Sequence, residues 1–491
     1  MNRASSIPPR TELAPGLEIP RLVTGLWQVA DLERDGQALD PERGADALAA
    51  YAAAGFDAFD MADHYGSAEI IAGRLLARMP AGGNRPRAFT KWCPEPGPMT
   101  RATVRAGIDR ARQRLGVERI DLLQFHWWNY AHPGYLDAMH ELAALRDAGE
   151  IAQLGTTNFD ADHLHLLLRD GVPVATNQVC FSLLDRRAAG EMSAVCAAGG
   201  VRLLAYGTLA GGFLSERWLG RPDPGATGIG DWSKMKYRRF IDAAGGWAAF
   251  QAILAAADAI AKRHGVSIAN VATRWVLDHP AVAAVIVGAR LGEREHRADN
   301  LGCFGFALDA QDHARLDDAF ARGRTIPGDC GDEYRRPPYL TAAGDLSHHL
   351  QGQTQPYVAT RVDGRLRVDT GSVWEPICGY SRAIRAGNRI VVSGTTATHG
   401  AGRIVCPGDP RGQTVYILDK IAASLAALGG TSDDVVRTRI YLRDADHWET
   451  VGRAHGRHFA AARPANTLLE VSRLVGDYLV EIEAEADLTR D

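Results

Sequence analysis

Four polar side chains in this 491-residue sequence stand where proton-transfer chemistry could be assembled. Asp60 and Tyr65 lie in FDAFDMADHYG, Lys91 in AFTKW and His126 in DLLQFHW, each at or just past the end of a short β-like run. A tyrosine with an ordinary pKa near ~10 is a poor acid at neutral pH, and a neighbouring ammonium lowers that value. Asp60 would keep Lys91 charged and oriented. Tyr65 would give a proton to a developing alkoxide while His126 hydrogen-bonds the same oxygen. The chain has five lysines against fifty arginines, so a strand-end lysine points to a need for a compact point charge rather than a guanidinium fork. Taken singly, each residue fits a surface tyrosine, a core histidine or an ordinary ion pair. Four at successive strand ends fit catalysis.

Such a set needs a frame that brings strand ends together. From Leu22 onward, β-like runs at Leu22–Val29, Phe56–Met61, Arg87–Trp92, Ile120–Trp127, Ile151–Asn158, Val174–Phe181, Val201–Gly207 and Ala284–Gly288 alternate with helical stretches. Pro41–Ala54, Thr100–Leu115, Pro133–Asp147 and Trp247–His264 carry apolar residues at helical spacing. Eight such runs describe an α/β protein of the (β/α)8, or TIM-barrel, type, whose chemistry sits at the C-terminal strand ends. An open doubly wound sheet would give a similar alternation, but no G-x-G-x-x-G follows the first strand. Thr11–Arg21, with Pro15-Gly16 at its middle, reads as a hairpin ahead of the barrel. Gly211–Gly246 lacks clear periodicity and reads as a functional loop.

The barrel is expected to occupy residues 1–322, with a Pro-rich linker over 323–360. Residues 361–491 then read as a small α+β domain. Its strands are expected at Arg389–Ser393, Val435–Leu442, Thr467–Leu474 and Leu479–Leu488, and its helices at Gln413–Leu428 and Asp444–Ala460. A net charge of −4 gives no general attraction to nucleic acid or anionic membrane. No apolar run approaches a membrane span, and Met1–Arg21 lacks the apolar core of a signal peptide. Seven scattered cysteines fit reduced thiols in a cytoplasm and no structural metal site.

The spacing from Asp60 to Tyr65, the Thr90-Lys91 pair and the run ending in His126 resemble the aldo-keto reductases over about residues 10–322. That family is a (β/α)8 barrel with an N-terminal hairpin and an Asp, Tyr, Lys, His tetrad. It binds NAD(P)H across the barrel mouth without a Rossmann domain. The resemblance implies reduction of an aldehyde or ketone by hydride transfer, with Tyr65 as proton donor. It implies that Thr157, Asn158 and Gln178 hold the nicotinamide carboxamide and that Tyr206 stacks on the ring, with Gly207 in place of the usual serine. It also implies that Gly288, Arg290, Arg294 and Asn300 hold the adenine side. The two arginines favour NADP(H), with NAD(H) as the alternative. Trp27, Trp92, Trp127, Trp128 and Tyr130 would wall the substrate pocket. A NADPH-binding sensor or scaffold without useful turnover, like the potassium-channel β subunits, is a second reading, and Tyr65 favours catalysis over it.

From Cys378 the chain resembles the Rid (reactive intermediate deaminase) family over about residues 370–488, small α+β proteins of chorismate-mutase-like fold that are usually trimers. Tyr380 and Glu481 match that family's cleft tyrosine and glutamate. In the motif Pro464-Ala465-Asn466-Thr467, however, Asn466 stands where active imine deaminases carry arginine, and an amide supplies neither the charge nor the fork. The resemblance therefore implies binding, altered catalysis or trimer formation, with a bifunctional enzyme acting on an imine or enamine as the alternative. Val391, Ile440, Leu442, Leu469, Val471 and Ile482 alternate in their strands, so an apolar sheet face buried in a homo-oligomer, trimer or hexamer, is expected.

Overall fold

The alternation of apolar runs and amphipathic stretches resolves, in a computed structural model, into a barrel and a C-terminal α/β layer. The structure describes residues 7–29, 39–79, 85–225, 228–230, 232–293, 295–336, 339–340 and 355–489. Strands β1 (Arg10–Ala14) and β2 (Leu17–Pro20) form the expected hairpin about Pro15-Gly16, where Gly16 takes φ +75°. Leu13, Leu17 and Ile19 of the hairpin pack with Val23, Phe89, Leu122 and Leu204, which closes the barrel floor with apolar side chains.

Eight parallel strands close into the barrel. They are β3 (Leu22–Gly25), β4 (Ala58–Asp60), β5 (Arg87–Trp92), β6 (Ile120–His126), β7 (Ile151–Thr157), β8 (Val174–Cys180), β9 (Arg202–Tyr206) and β10 (Val282–Gly288). All seven residues of β6 are buried, as a parallel strand covered on both faces requires. Helices α1 (Pro41–Ala53), α2 (Ala68–Ala77), α3 (Arg101–Leu115), α4 (Gly134–Asp147), α5 (Ala161–Arg169) and α6 (Glu191–Gly199) each follow a strand. Their starts are written locally. Asp40, Thr100 and Asp160 accept hydrogen bonds from the first-turn N–H groups of α1, α3 and α5.

The first strand is shorter than expected, since Trp27–Val29 turn into a 3-10 helix that lays Val29 into the core. The region Gly211–Gly246 is not all loop. It contains α7 (Trp232–Ala243), whose buried Tyr237, Phe240 and Ile241 have helical spacing that the flanking Gly and Pro obscured. Helices α8 (Gly246–His264) and α9 (Ile268–Leu277) precede β10, and α10 (Arg297–Asn300) and α11 (Ala310–Phe320) follow it. The stretch expected as a linker also contributes packing. Ile326, Cys330 and Leu340 are buried, and the short α12 (Asp332–Arg335) returns to the barrel mouth.

Beyond residue 358 the chain forms a seven-stranded sheet from β11 (Ala359–Val362), β12 (Arg365–Val368), β13 (Ala383–Ala386), β14 (Arg389–Thr396), β17 (Val435–Leu442), β18 (Ala465–Glu470) and β19 (Val480–Asp487). Its order is β11-β12-β13-β14-β19-β17-β18, and only β17–β18 is parallel. Helix α13 (Trp374–Cys378) and a ribbon of β15 (Thr398–His399) and β16 (Arg403–Ile404) lie around it, with α14 (Pro410–Ala427) and α15 (Trp448–His458) packed on each other. Thirteen of the eighteen residues of α14 are buried because it lies between the sheet and α5 of the barrel.

The open face of this sheet differs from the apolar one expected. Ile440, Leu442 and Ile482 are buried on the inner face with Ile390 and Val392. Val391 and Leu469 are exposed, and Val471 lies just past its strand. The period of two puts Arg439, Tyr441, Glu483 and Glu485 on the outer face, where Arg439 bonds Glu483 at 3.0 Å and Glu485 at 3.2 Å. This face is amphipathic rather than apolar.

Candidate active site

The tetrad assembles at the C-terminal end of the barrel. Lys91 Nζ donates to Asp60 Oδ2 at 2.6 Å and to the Met61 carbonyl at 3.0 Å, and both side chains are buried. It lies 5.1 Å from the centre of the Tyr65 ring. The other Asp60 oxygen accepts Gln124 Nε2 at 2.9 Å and Gln178 Nε2 at 2.8 Å. Gln124 was missed in the sequence, although it stands two positions before His126 on β6, which places both on one face. Asp60 is thus held on both oxygens, and the ammonium cannot drift.

His126 is fully buried, and its Nε2 has no hydrogen-bond partner among the described residues. Burial pushes its pKa well below the usual histidine range, and the nearby cations of Arg335, Lys236 and Lys91 push it the same way. It is therefore a neutral imidazole at physiological pH, able to share a proton with a bound oxygen without carrying charge. All four tetrad residues line a cavity of about 680 Å³.

Thr157, Asn158, Gln178, Tyr206, Gly288, Arg290 and Asn300 line the same cavity. Arg294 lies outside the described residues. Thr157 Oγ1 is buried without a partner among the described residues, as a hydroxyl awaiting a ligand would be. Asn158 sits at φ 57° and accepts the Tyr206 hydroxyl at 2.9 Å. Gly207 takes φ +71°, and a Cβ there would come within 2.5 Å of Tyr237 Oη, so a phenol stands where a serine side chain would. These features fit a nicotinamide dinucleotide. Were one bound, Thr157 and Asn158 would offer it polar groups, Tyr206 an aromatic face and Arg290 a cation.

Of the aromatic residues expected around substrate, Trp27 and Trp128 line the cavity. The other three do not. Trp92 packs on Gly107 and Phe125, and Trp127 is fully buried with Nε1 donated to the Asn129 and His132 carbonyls. Tyr130 stacks on His163 at 3.3 Å between ring centres, facing the C-terminal domain. In their place the structure brings Tyr334 from α12, its ring centre 5.3 Å from His126 and 5.5 Å from Trp128. Glu333 beside it forms a buried ion pair with Arg187 at 2.9 Å. Arg335 donates to the carbonyls of Trp127 at 2.6 Å and Asn158 at 2.5 Å, which ties α12 to the ends of β6 and β7.

Asp63, His64 and Cys93 bring three donor atoms within 4.8 Å of one another at the cavity edge. Both Asp63 oxygens are engaged, by His64 Nδ1 at 3.0 Å and the Cys93 N–H at 3.1 Å.

The C-terminal domain is joined to the barrel through polar contacts along α5. His163 contacts Asp160 at 2.8 Å and Asp419 of α14 at 3.2 Å, and Asp419 also accepts the Tyr135 hydroxyl at 2.7 Å. Burial opposes a charge on His163, but the two carboxylates outweigh it and lift its pKa to about 10. Arg411 to Asp162 at 2.8 Å and His165 to Asp409 at 2.9 Å extend the seam. Elsewhere in this domain, Tyr380 accepts from Arg382 at 3.1 Å, and Arg382 also lies near Glu481, whose carboxyl is raised above its usual range by burial and by Glu483. Asn466 bonds Thr438 at 2.9 Å and lines a separate surface groove with His455 and Trp448. Neither Tyr380 nor Glu481 lines that groove within one chain.

The aldo/keto reductase family model matches residues 21–321, and the Endoribonuclease L-PSP model matches residues 370–488. An aldo-keto reductase of Mycolicibacterium smegmatis is 30% identical over 309 residues, 62% of this chain and 90% of that protein. A RutC family protein of Pyrococcus horikoshii is 36% identical over 112 residues, 23% of this chain and 89% of that protein. Flagellar radial spoke protein 5 of Chlamydomonas reinhardtii is 33% identical over 224 residues, 39% of this chain, and the chain spans 42% of its length. A glycerol dehydrogenase of Gluconobacter oxydans shares the barrel fold at TM-score 0.51 and 24% identity, over 64% of this chain and 95% of that one. The chain belongs to the aldo/keto reductase family and carries a second, Rid-type domain at its C-terminal side.

Proposed function

We propose that the barrel reduces an aldehyde or ketone to an alcohol, with Tyr65 as proton donor and NADPH as the preferred cofactor. The observation that supports this best is the braced Asp60–Lys91 pair beside Tyr65, facing a neutral His126 whose Nε2 is left for a ligand. When bound, a reduced nicotinamide supplies a hydride to the carbonyl carbon. The chain's own residues do the rest. His126 and Tyr65 hold the carbonyl oxygen, and the Tyr65 Oη–H bond breaks as that oxygen gains the electron pair of the C=O bond. Lys91 stabilises the phenolate left behind, and Asp60 keeps Lys91 charged. Arg290 supports the preference for a 2′-phosphate.

All seven cysteines are free thiols, which supports a reducing, cytoplasmic setting. We read the C-terminal domain as a binding and assembly module, because Asn466 replaces the arginine an imine deaminase needs, and an amide bonded to Thr438 supplies neither its charge nor its fork. The test is a panel of aldehydes, ketones and cyclic imines followed by NADPH and NADH absorbance. Oxidation of NADPH by carbonyls is expected. Oxidation with none of them, or with imines alone, would overturn the reading.

A further inference from the structure

Lysine is scarce in this chain, yet three of its five lysines, Lys91, Lys234 and Lys236, line the one cavity that holds the tetrad. Lys91 is neutralised by Asp60. Lys236 is not neutralised in this way. Its ammonium donates to the Tyr334 hydroxyl at 2.5 Å and stands 4.7, 5.1 and 5.7 Å from the ring centres of Tyr334, Tyr206 and Tyr237. No carboxylate lies within ion-pair distance of it among the described residues. Glu333, 3.3 Å from the Tyr206 hydroxyl, is already paired with Arg187. Three aromatic faces offset part of the cost of holding this charge in a half-enclosed cavity, and one acceptor leaves ammonium protons unused.

The position of Lys236 matters as much as its charge. Tyr334 bridges it to the reacting end of the cavity, since the Tyr334 ring packs against both His126 and Trp128. Arg335 and Lys236 both act on His126 as positive groups, so the field there favours an anion. A substrate whose reacting carbon sits at His126 and Tyr65 would reach Lys236 with a group only one small molecule's length away.

We propose that Lys236, with Tyr334, is an anion-recognition subsite, and that the substrate is a carbonyl compound bearing a carboxylate on the side away from the carbonyl. This rests on the carbonyl-reductase reading and names its substrate class. The walls of Trp27 and Trp128 accommodate an apolar or aromatic body between the two polar ends. A charge-assisted hydrogen bond of this kind is worth roughly tenfold or more in affinity.

The experiment compares 4-carboxybenzaldehyde with its neutral methyl ester, methyl 4-formylbenzoate, on the full chain with NADPH. Alongside it, benzoate and benzamide are titrated against the protein by tryptophan fluorescence, which needs no turnover. The acid is expected to exceed the ester in kcat/KM by about tenfold or more. Lys236→Met should abolish that ratio, and Lys236→Arg should restore most of it. Equal kcat/KM for acid and ester, or a ratio that survives in Lys236→Met, would overturn the proposal. So would a Lys236→Met protein whose NADPH affinity falls while the ratio stays, since Lys236 would then serve the cofactor. If no carbonyl is reduced but benzoate binds the wild type and not Lys236→Met, the subsite stands and the reductase reading falls. Benzoate binding no better than benzamide in a protein that reduces neither aldehyde would end both.

Discussion

Thr157 shows how a single side chain can separate a binding role from a structural one. Its hydroxyl is buried and bonds nothing among the described residues, so removing it costs the folded protein no hydrogen bond. Thr157→Val is expected to leave the melting temperature within about one degree while weakening nicotinamide cofactor binding by roughly five- to tenfold. Calorimetry and a cofactor fluorescence titration check the two halves, and a stability loss without an affinity loss would mean the hydroxyl is structural. Gln124 is the opposite case. It donates to Asp60, so Gln124→Leu removes a donor from a buried carboxylate and should lower kcat about tenfold while changing the cofactor Kd little. Steady-state kinetics and the same titration check this. At this scale the tetrad was legible because its residue types and strand-end positions are unusual together. Lys236 carried the same lysine signal and was passed over because the sequence around it looked like loop.

At the scale of elements, α5 and α14 form the seam between the two halves, with His163 at its centre. His163 has a folded pKa of about 10 against an ordinary 6.5, so its charge stabilises the fold below pH 6.5, and that contribution is lost as pH rises through 10. Lys420 nearby titrates in the opposite sense, its burial pushing it down to about 7, so the imidazole itself is the better readout. Histidine-labelled NMR, assigned with His163→Gln, should show His163 still protonated at pH 8.5. An imidazole that loses its proton near pH 6.5 would contradict the buried carboxylate pairing. Breaking the seam at Asp419→Ala leaves that charge half-paired and should cost about 3–5 kcal/mol in urea unfolding. Periodicity located these helices but not their partners. A residue 256 positions away completes the histidine's pairing, and no local pattern reports such a contact.

For the molecule as a whole, the barrel was readable because eight β-runs recur with helices between them, whereas the return of α12 to the barrel mouth was not. Residues 332–335 have no periodicity, and their placement is set by Arg187, Trp127 and Asn158. The sheet's outer face was misjudged for a similar reason. Its apolar positions were identified from strand composition, but face assignment depends on register, which leaves Arg439, Glu483 and Glu485 outward. We expect this face to join copies of the chain through charge and shape rather than an apolar patch. Light scattering should give three or six times the 53.0 kDa chain mass, and Arg439→Glu should shift it toward the monomer. A monomeric wild type would reject that assembly.

If Tyr65 donates the proton to a carbonyl oxygen in a site braced by Lys91, Asp60 and His126, its loss must slow the chemical step while leaving the cofactor bound. Single-turnover stopped-flow on Tyr65→Phe, with a carbonyl substrate found in the panel, tests it most directly. A cofactor Kd within about twofold of wild type and a chemical step slowed by about 10²–10⁴-fold are expected. A Tyr65→Phe protein that turns over at the wild-type rate when chemistry is limiting would contradict it.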